Sequence, residues 1–302
     1  MQVLRLDGID GRHLWGFLTA LGALSLLDRF AEQAGHDPPR LMFLEDGTAV
    51  LHAPIEAGEL AGVLSAELRA LQPCLEGPLG AIKRPGDLTR ANCEEIALQG
   101  EPNVLDFLAG LGCVVGEEAD ESTLCAANGA SHQNLVQSMR DILKLVQEEH
   151  VQRALFVPWE RAYRVPDDQR KQLGLGTRKP TLRLDPADER LYALRFSNPT
   201  TTDDFRTELG AQALAIPAFA LLPVVPSRHP VTVASTRRRN RVTFSWGLWK
   251  APATLRTARS LVWQGPGEPR DQRARGVFAA FSADRVSGAK GKLSFAPSEG
   301  VW

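Results

Sequence analysis

One helix constrains the fold of this chain more than any other segment. The spacing of apolar residues predicts a helix from about Arg12 to Gln33. Its large apolar side chains cover nearly the whole circumference: Trp15, Phe17, Leu18, Leu21, Leu24, Leu26, Leu27 and Phe30. Such a helix must be buried on several sides. Because its most apolar run, from Leu14 to Leu27, is interrupted by Thr19 and Ser25 and is shorter than the ~20 residues of a membrane span, we expect a core helix and no membrane span.

Composition and cysteine usage are those of an ordinary globular protein. The chain has 302 residues, of which 43% are hydrophobic and 24% charged, enough for one large or two medium cores. The start, Met1 to Gly8, lacks a basic leader before an apolar stretch, so no secretory signal is indicated. The cysteines are Cys74, Cys93, Cys113 and Cys125. Because they form no C-x-x-C pair, we expect buried free thiols in a cytoplasmic protein.

Charge divides the chain into three regions. Residues 1–130 carry 8 basic and 20 acidic side chains, residues 131–225 carry 13 and 12, and residues 226–302 carry 14 and 4. We interpret them as an acidic α+β N-terminal region, a central helix-strand region and a basic C-terminal region. Such asymmetry is typical of a basic surface for a polyanion, an acidic surface for a basic partner, or both.

Local patterns predict an α+β fold, with a helix-rich N-terminal region, a mixed or antiparallel sheet, and a basic C-terminal region that contains strands. The further predicted helices are 56–71, 87–98, 103–111, 131–151, 203–222 and 254–262. The predicted strands are 3–6, 40–44, 49–52, 181–184, 191–196, 231–235 and 241–246. The acidic run 117–121 and the polar segment 167–171 are predicted to be loops.

A run of arginines is the main local signal for binding. It comprises Arg237, Arg238, Arg239 and Arg241, beside the turn between the last two predicted strands. Guanidinium groups there could bind successive phosphates without reading bases. Because neighbouring positive charges repel one another unless an anion neutralises them, the run favours phosphate binding over the alternative of a solvated turn.

Further cations and tryptophans extend this signal. The additional basic candidates are Lys250, Arg256, Arg259, Arg285, Lys290 and Lys292. Trp246, Trp249 and Trp263 lie among them, and aromatic rings between cations suit stacking on single-stranded bases. We include Trp249 among the candidate nucleic-acid-binding residues. The alternative for the tryptophans is core packing, because Phe244, Trp246 and Leu248 share one strand face.

A polar group lies near the start of the predicted helix 131–151. It comprises His132, Gln133, Arg140 and Asp141. A metal-dependent nuclease would need such groups to converge on one ion, but His132 and Asp141 are nine residues apart, on poorly matched helix faces. We therefore predict a structural or RNA-contacting role for His132, Gln133 and Arg140. Without a common nucleotide-binding, hydrolase or zinc-protease motif, we expect no catalytic activity, no cofactor and no metal.

Short motifs spread over most of the chain resemble proteins of one family. They are Leu6-Asp7-Gly8, Leu14-Trp15-Gly16-Phe17-Leu18-Thr19-Ala20-Leu21-Gly22-Ala23-Leu24, His132-Gln133, Arg140-Asp141, Arg153-Ala154-Leu155-Phe156, Pro158-Trp159, Leu184-Asp185-Pro186, Tyr192-Ala193-Leu194-Arg195, Gly210-Ala211-Gln212 and Arg275-Gly276-Val277. Together they resemble proteins from type I-G CRISPR loci, formerly called type U. The resemblance implies a Cascade large-subunit-like component that contacts guide RNA, target DNA and other effector subunits.

These observations lead to one hypothesis and two alternatives. The hypothesis is a non-catalytic nucleic-acid-binding subunit of a CRISPR interference complex. It fits the charge pattern, because such complexes use base pairing for sequence specificity and protein cations to hold backbone and flanking duplex. The first alternative is a protein-protein adaptor with a basic docking face. The second is a metal-dependent nuclease that uses His132 or Asp141.

Overall fold

The computed structural model describes residues 1–82, 88–99, 102–116, 118–125, 135–175, 180–186, 206–226, 231–238, 241–265, 267–287 and 293–302. Its helices are α1 (Leu14–Ala34), α2 (Ala57–Glu76), α3 (Arg90–Gln99), α4 (Pro102–Leu111), α5 (Leu135–Leu145), α6 (Glu148–Phe156), α7 (Asp167–Gln172), α8 (Leu209–Ala220), α9 (Leu255–Trp263) and α10 (Pro269–Ala274). Its strands are β1 (Gln2–Asp10), β2 (Arg40–Phe43), β3 (Thr48–Ala53), β4 (Gly112–Val115), β5 (Glu118–Glu121), β6 (Val224–Val225), β7 (Val231–Thr232), β8 (Ser235–Arg238), β9 (Arg241–Trp249), β10 (Val277–Ser287), β11 (Leu293–Phe295) and β12 (Glu299–Gly300). A short 3-10 helix spans Pro78–Ala81.

The described strands form four antiparallel sheets. The N-terminal sheet has the order β1-β3-β2, and the C-terminal sheet has the order β11-β10-β9-β8, with β12 also paired to β10. Two smaller sheets are the pairs β4-β5 and β6-β7. A single bridge between Leu41 and Ala253 connects β2 to the segment after β9, with N–H···O distances of 2.8 and 2.9 Å. These elements confirm the predicted α+β class.

Helix α1 lies at the centre of the core, as its apolar circumference predicts. It packs against α8 so closely that a Cβ atom added at Gly22 would lie 1.8 Å from the carbonyl oxygen of Leu214. Helix α1 is 21 residues long and apolar enough to cross a bilayer, so the length argument against a membrane span was wrong. Its most apolar window is 78% buried within the protein, which is the behaviour of a core helix.

Aromatic packing joins the C-terminal sheet to the N-terminal half of the chain. The Phe17 ring of α1 lies 6.1 Å from that of Phe43, 5.7 Å from that of Trp246 and 6.2 Å from that of Trp249. The indole N–H of Trp246 donates to the carbonyl oxygen of Gly11 at 2.8 Å. Buried residues from all three charge regions therefore belong to one continuous hydrophobic core.

Three local predictions need correction. The helix predicted over 131–151 is two helices, α5 and α6, because the backbone N–H of Gln147 is capped by Nδ1 of His150 at 3.0 Å and a new helix begins there. The polar segment 167–171 is helical as part of α7, with Asp167 and Asp168 in its first turn, where they complement the helix dipole. Residues 118–121 of the acidic run form strand β5, which pairs with β4.

The strand predicted over 181–184 is absent from the described part of the chain. There the backbone N–H of Leu182 donates to Oε1 of the buried Gln212 at 2.9 Å, and Arg183 has a positive φ of 56°, which breaks an extended strand. The companion strand predicted over 191–196 lies outside the described residues, as do residues 203–205 of the predicted helix 203–222. Within the described residues, that helix is shorter than predicted: 206–208 are not helical, since Thr207 forms an antiparallel bridge with Tyr163, and α8 spans Leu209–Ala220.

Candidate nucleic-acid interface

Arg237, Arg238 and Arg241 lie on a β-hairpin, but the strand predicted over 231–235 is wrong in its bounds. Strand β7 ends at Thr232, residues 233–234 form a turn, and β8 (Ser235–Arg238) itself carries Arg237 and Arg238. Strands β8 and β9 pair with Arg237 opposite Val242 and Arg238 opposite Arg241. The side chains of directly paired residues lie on the same face of a sheet, and successive residues alternate. Arg237 therefore shares the face of Val242, whereas Arg241 lies on the opposite face. Of the run, Arg237 and Arg241 therefore lie on different faces of the hairpin.

Arg241 is held by an ion pair within the sheet. Its guanidinium bonds to the carboxylate of Asp284 on β10, and the hydroxyl of Thr243 donates to the same carboxylate at 2.6 Å. The hydrogen bond from Arg241 lowers the pKa of Asp284 below its ordinary value, so the carboxylate stays ionised. The Arg241 side chain is 67% exposed, and ion pairs of this kind at the surface contribute little to stability. A phosphate could therefore compete for this guanidinium.

Arg285 and Lys250 are also partly committed within the chain. Arg285 pairs in register with Val242, on the face that Arg237 shares, and it is half-buried. Burial lowers the pKa of Arg285, and the positive charge of Arg237 lowers it further. Lys250 donates to Oε1 of Glu45 at 2.8 Å, and its Nζ lies 5.4 Å from the Phe278 ring centroid. Neither residue extends freely from the surface.

Trp249 is a core residue, which corrects the prediction that it stacks on bases. Its side chain is 1% exposed, and its indole N–H donates to the carbonyl oxygen of Leu41 at 2.7 Å. The ring packs edge-on against Phe43 at 5.2 Å. A nucleic-acid base has no access to either face, so the contribution of Trp249 is to packing.

Helix α9 presents the basic and aromatic surface that Trp249 was expected to supply. Arg256, Arg259 and Trp263 are spaced by three and then four residues, so they lie along one helix face. The Arg259 guanidinium carbon is 4.4 Å from the Trp263 ring centroid. Trp263 is 42% exposed, whereas Ala258 and Val262 on the other face are buried. The sequence contained this signal, because the exposed face repeats at helical spacing from Arg256.

Helix α10 adds arginines that the sequence reasoning did not select. Arg270, Arg273 and Arg275 are exposed, and Arg273 lies over the Trp302 ring at 5.5 Å. The α9–α10 corner packs beside the hairpin, since a Cβ atom added at Gly265 would lie 3.8 Å from the Cα of Ala234. Cations of α9, α10 and β8 therefore belong to adjoining surfaces.

A cavity with an acidic lining flanks this basic surface. It has a volume of about 240 Å³ and lies between α1, α2, α4, α8 and α9. Its carboxylates are Asp28, Glu32 and Asp106, and Arg29 and Arg259 also line it, Arg29 being paired with Glu67. Burial and the neighbouring charge of Glu32 raise the pKa of Asp28, whereas the charge of Arg256 opposes that shift. Arg256 and Arg259 therefore lie beside carboxylates on this side of α9.

The polar group near helix 131–151 has a structural role in its described part. Arg140 donates to the backbone carbonyl oxygens of Leu75, Leu79 and Gly80 at 2.7, 3.1 and 2.9 Å, which secures the end of α2. Asp141 is 3% exposed and accepts from Nε2 of Gln137 at 2.8 Å. Within the described ranges, no group of three or more histidine, cysteine, aspartate or glutamate residues could hold a metal ion.

Several predicted residues lie outside the described part of the chain. They are His132, Gln133, Arg239, Lys290 and Lys292, and the side chain of Arg238 is likewise not described. Their predicted contacts with nucleic acid stay predictions.

Segments 153–159, 184–186 and 210–212, which carry part of the family resemblance, meet in a buried polar cluster. Glu208 is 3% exposed, and its carboxylate lies 3.5 Å from Nε of Arg153. Arg161 forms an ion pair with the buried Asp185, and Gln212 bonds to the backbone of Leu182. Burial raises the pKa of Glu208 despite the two nearby arginines. These contacts hold α6 and α8 together.

Comparison with models of known protein families gives no match, and no curated protein matches this chain in sequence.

Proposed function

We propose that this chain is a non-catalytic nucleic-acid-binding subunit of a CRISPR interference complex, in which it helps to hold guide RNA and target DNA. The observation that carries nucleic-acid binding is the basic surface shared by α9 and the β8–β9 hairpin. Arg237 and Arg256 are exposed there, and Arg259 is stacked on Trp263. The assignment to a Cascade-like complex comes from the resemblance of the sequence to type I-G proteins.

Electrostatics favours a polyanion as the occupant of this surface. Residues 226–302 carry 14 basic and 4 acidic side chains, so their surface field attracts phosphates over several ångströms at moderate salt. The cations lie on a strand and two helices that pack on one core, so phosphate contacts would require little ordering of the chain. Such contacts position a nucleic acid without reading its sequence, as the proposed role requires.

The proposal is tested by the salt dependence of binding. We would compare wild type with the Arg237→Ala/Arg256→Ala double variant, using labelled single-stranded RNA and duplex DNA over about 50 to 200 mM salt. The matched control is Arg40→Ala/Arg69→Ala, which removes two exposed arginines from the acidic region. For single strands, the slope of log affinity against log salt should fall by about 0.7 for each phosphate that the variant can no longer bind.

The outcomes separate the candidate functions. A shallower slope for the Arg237/Arg256 variant and an unchanged slope for the control would support phosphate binding. If wild type binds neither nucleic acid at any salt, alone or with co-expressed neighbouring subunits, nucleic-acid binding is wrong and the adaptor hypothesis replaces it. Cleavage that needs a divalent ion and is lost in Asp141→Asn would instead support the nuclease alternative.

A further inference from the structure

Helix α9 offers a contact that phosphate binding does not use. We propose that Trp263 is a stacking platform for a base of single-stranded nucleic acid, with Arg259 supporting the ring from beneath. This inference rests on the proposed function and specifies its ligand at this surface. It adds a contact with a base to the contacts with the phosphate backbone.

The indole of Trp263 is fixed in position before any ligand binds. Its N–H donates to the carbonyl oxygen of Leu221 at 2.8 Å, which anchors one edge of the ring. The Arg259 guanidinium lies against the ring at 4.4 Å and covers one face. Trp263 nevertheless remains 42% exposed. A ring held in this way loses little conformational entropy when a base stacks on it.

Burial distinguishes Trp263 from Trp246 and Trp249, whereas Trp302 is half-buried with Arg273 over its ring. Trp246 and Trp249 are 0% and 1% exposed and pack around Phe17. Trp263 lies on the polar face of a helix whose buried face uses Ala258 and Val262, so the core does not require an indole there. Its neighbours along that face are arginines, an arrangement that suits bases stacked on an aromatic ring with the backbone held by cations.

The charges around α9 restrict the path of a bound strand. Asp28, Glu32 and Asp106 line the cavity on one side of Arg259, together with Arg29, whose charge is paired with Glu67, and these carboxylates disfavour phosphates. On the other side, Gly265 adjoins Ala234, three residues before Arg237 on β8. About 3.3 Å of strand per residue places Arg237 roughly 10 Å beyond this junction, within reach of the next few phosphates. The favourable path therefore runs from Trp263 towards Arg237.

Stacking on Trp263 selects single strands over duplex. Bases inside a duplex are stacked on both faces and present only their edges and backbone to protein. A base in a single strand can turn outwards and place its face on the indole, at little cost in sequence preference because every base has a π-face. Duplex can still bind the neighbouring arginines through its phosphates.

Fluorescence with a base-free control tests this inference. The full chain would be titrated with a deoxythymidine oligomer of about 12 nucleotides and with an abasic oligomer of equal length, which keeps the phosphates but has no bases. We expect the base-containing oligomer to bind wild type roughly 5- to 150-fold more tightly and to quench tryptophan emission. Trp263→Ala should bind both oligomers equally, and Trp263→Phe should keep most of the affinity but lose the quenching. Leu98→Ala, an exposed apolar residue in the acidic region, is the control and should match wild type.

Several results would overturn the platform. They are equal wild-type affinity for the two oligomers, quenching that persists in Trp263→Phe, and an equal loss of duplex binding in Trp263→Ala. If these occur while the Arg237/Arg256 variant still has a shallower salt slope, only the platform is wrong and phosphate binding stands. If wild type binds no oligomer and no duplex, both proposals fail. The abasic comparison needs no variant, so it decides the question even if Trp263→Ala does not fold.

Discussion

Replacing Gly22 with alanine perturbs the contact that organises the fold. Gly22 lies where α1 crosses α8, and an added Cβ atom would lie 1.8 Å from the carbonyl oxygen of Leu214 and 3.4 Å from Cδ of Pro217. Carbon-oxygen contacts are normally about 3.3 Å or longer, so the helices would have to separate by roughly 1.5 Å. The atoms in the way belong to the α8 backbone and to a proline ring, so a change of side-chain rotamer cannot relieve the clash.

The magnitude follows from two opposing effects. Overpacking of a core costs about 1 to 3 kcal/mol when side chains can adjust and more when they cannot, so at least about 3 kcal/mol is expected here. Alanine in a helix recovers about 1 kcal/mol of the glycine penalty. The net loss should therefore be at least about 2 kcal/mol, a large part of the ~5 to 15 kcal/mol that stabilises a typical protein.

Urea unfolding followed by circular dichroism measures this loss. The matched control is Gly58→Ala, the same substitution in the first turn of α2, where no atom lies within 4 Å of the added Cβ. The control should be stabilised by about 0.4 to 1 kcal/mol, because alanine restricts the unfolded chain. If Gly22→Ala unfolds within about 0.5 kcal/mol of wild type while the control shows its gain, α1 and α8 do not pack as described.

Two further predictions concern buried polar groups. Thr232→Val should cost about 1 to 3 kcal/mol in urea unfolding, since it removes the hydroxyl that accepts the buried backbone N–H of Thr123 at 2.7 Å; a loss below about 0.5 kcal/mol would argue against that bond. Burial raises the pKa of Glu208 above its ordinary 4.5, so this group binds a proton more tightly in the folded state than in the unfolded state. The stability that this proton contributes is fully present below pH 4.5 and is lost as the pH rises through the folded-state pKa. Glu208→Gln should not show this loss of stability, which is measured as the urea midpoint against pH. If the midpoints of wild type and variant change with pH in parallel, the raised pKa of Glu208 is refuted.

Local periodicity predicts much of the fold, because it depends on residues close together in the chain. Helix α1 was predicted as 12–33 and spans Leu14–Ala34, and the second strand of the arginine-bearing hairpin was predicted correctly, whereas its first strand begins only at Ser235. The break between α5 and α6 was missed, since one side chain, that of His150, determines it. The positive φ of Arg183 could likewise not be predicted from the local sequence. It occurs where the backbone of the preceding residue bonds to Gln212, in a helix distant in sequence.

The sequence predicted the basic charge of the candidate site, but it selected Trp249 rather than Trp263 as the aromatic residue. Strand alternation would place Trp249 on the face opposite Trp246, but both rings are buried and contact Phe17 of α1, and Trp249 is also hydrogen-bonded to Leu41. Such coverage depends on residues about two hundred positions away in the sequence, as the bond from Trp249 to Leu41 illustrates. The exposure of Trp263 follows from spacing within one helix, so it could have been predicted.

The shared core determines how the opposite charges of this chain can act. A basic region joined to an acidic region by a flexible linker could fold back on it and neutralise its own binding surface. Here Phe17 of α1 packs on Trp246 at 5.7 Å, and Lys250 already pairs with Glu45, so the two regions are fixed relative to one another. Arg259 lines the same cavity as Asp28, Glu32 and Asp106, and Arg256 interacts electrostatically with Asp28. Arg237 of β8 is exposed, and the fixed carboxylates beside Arg259 restrict the orientation in which an external polyanion can approach.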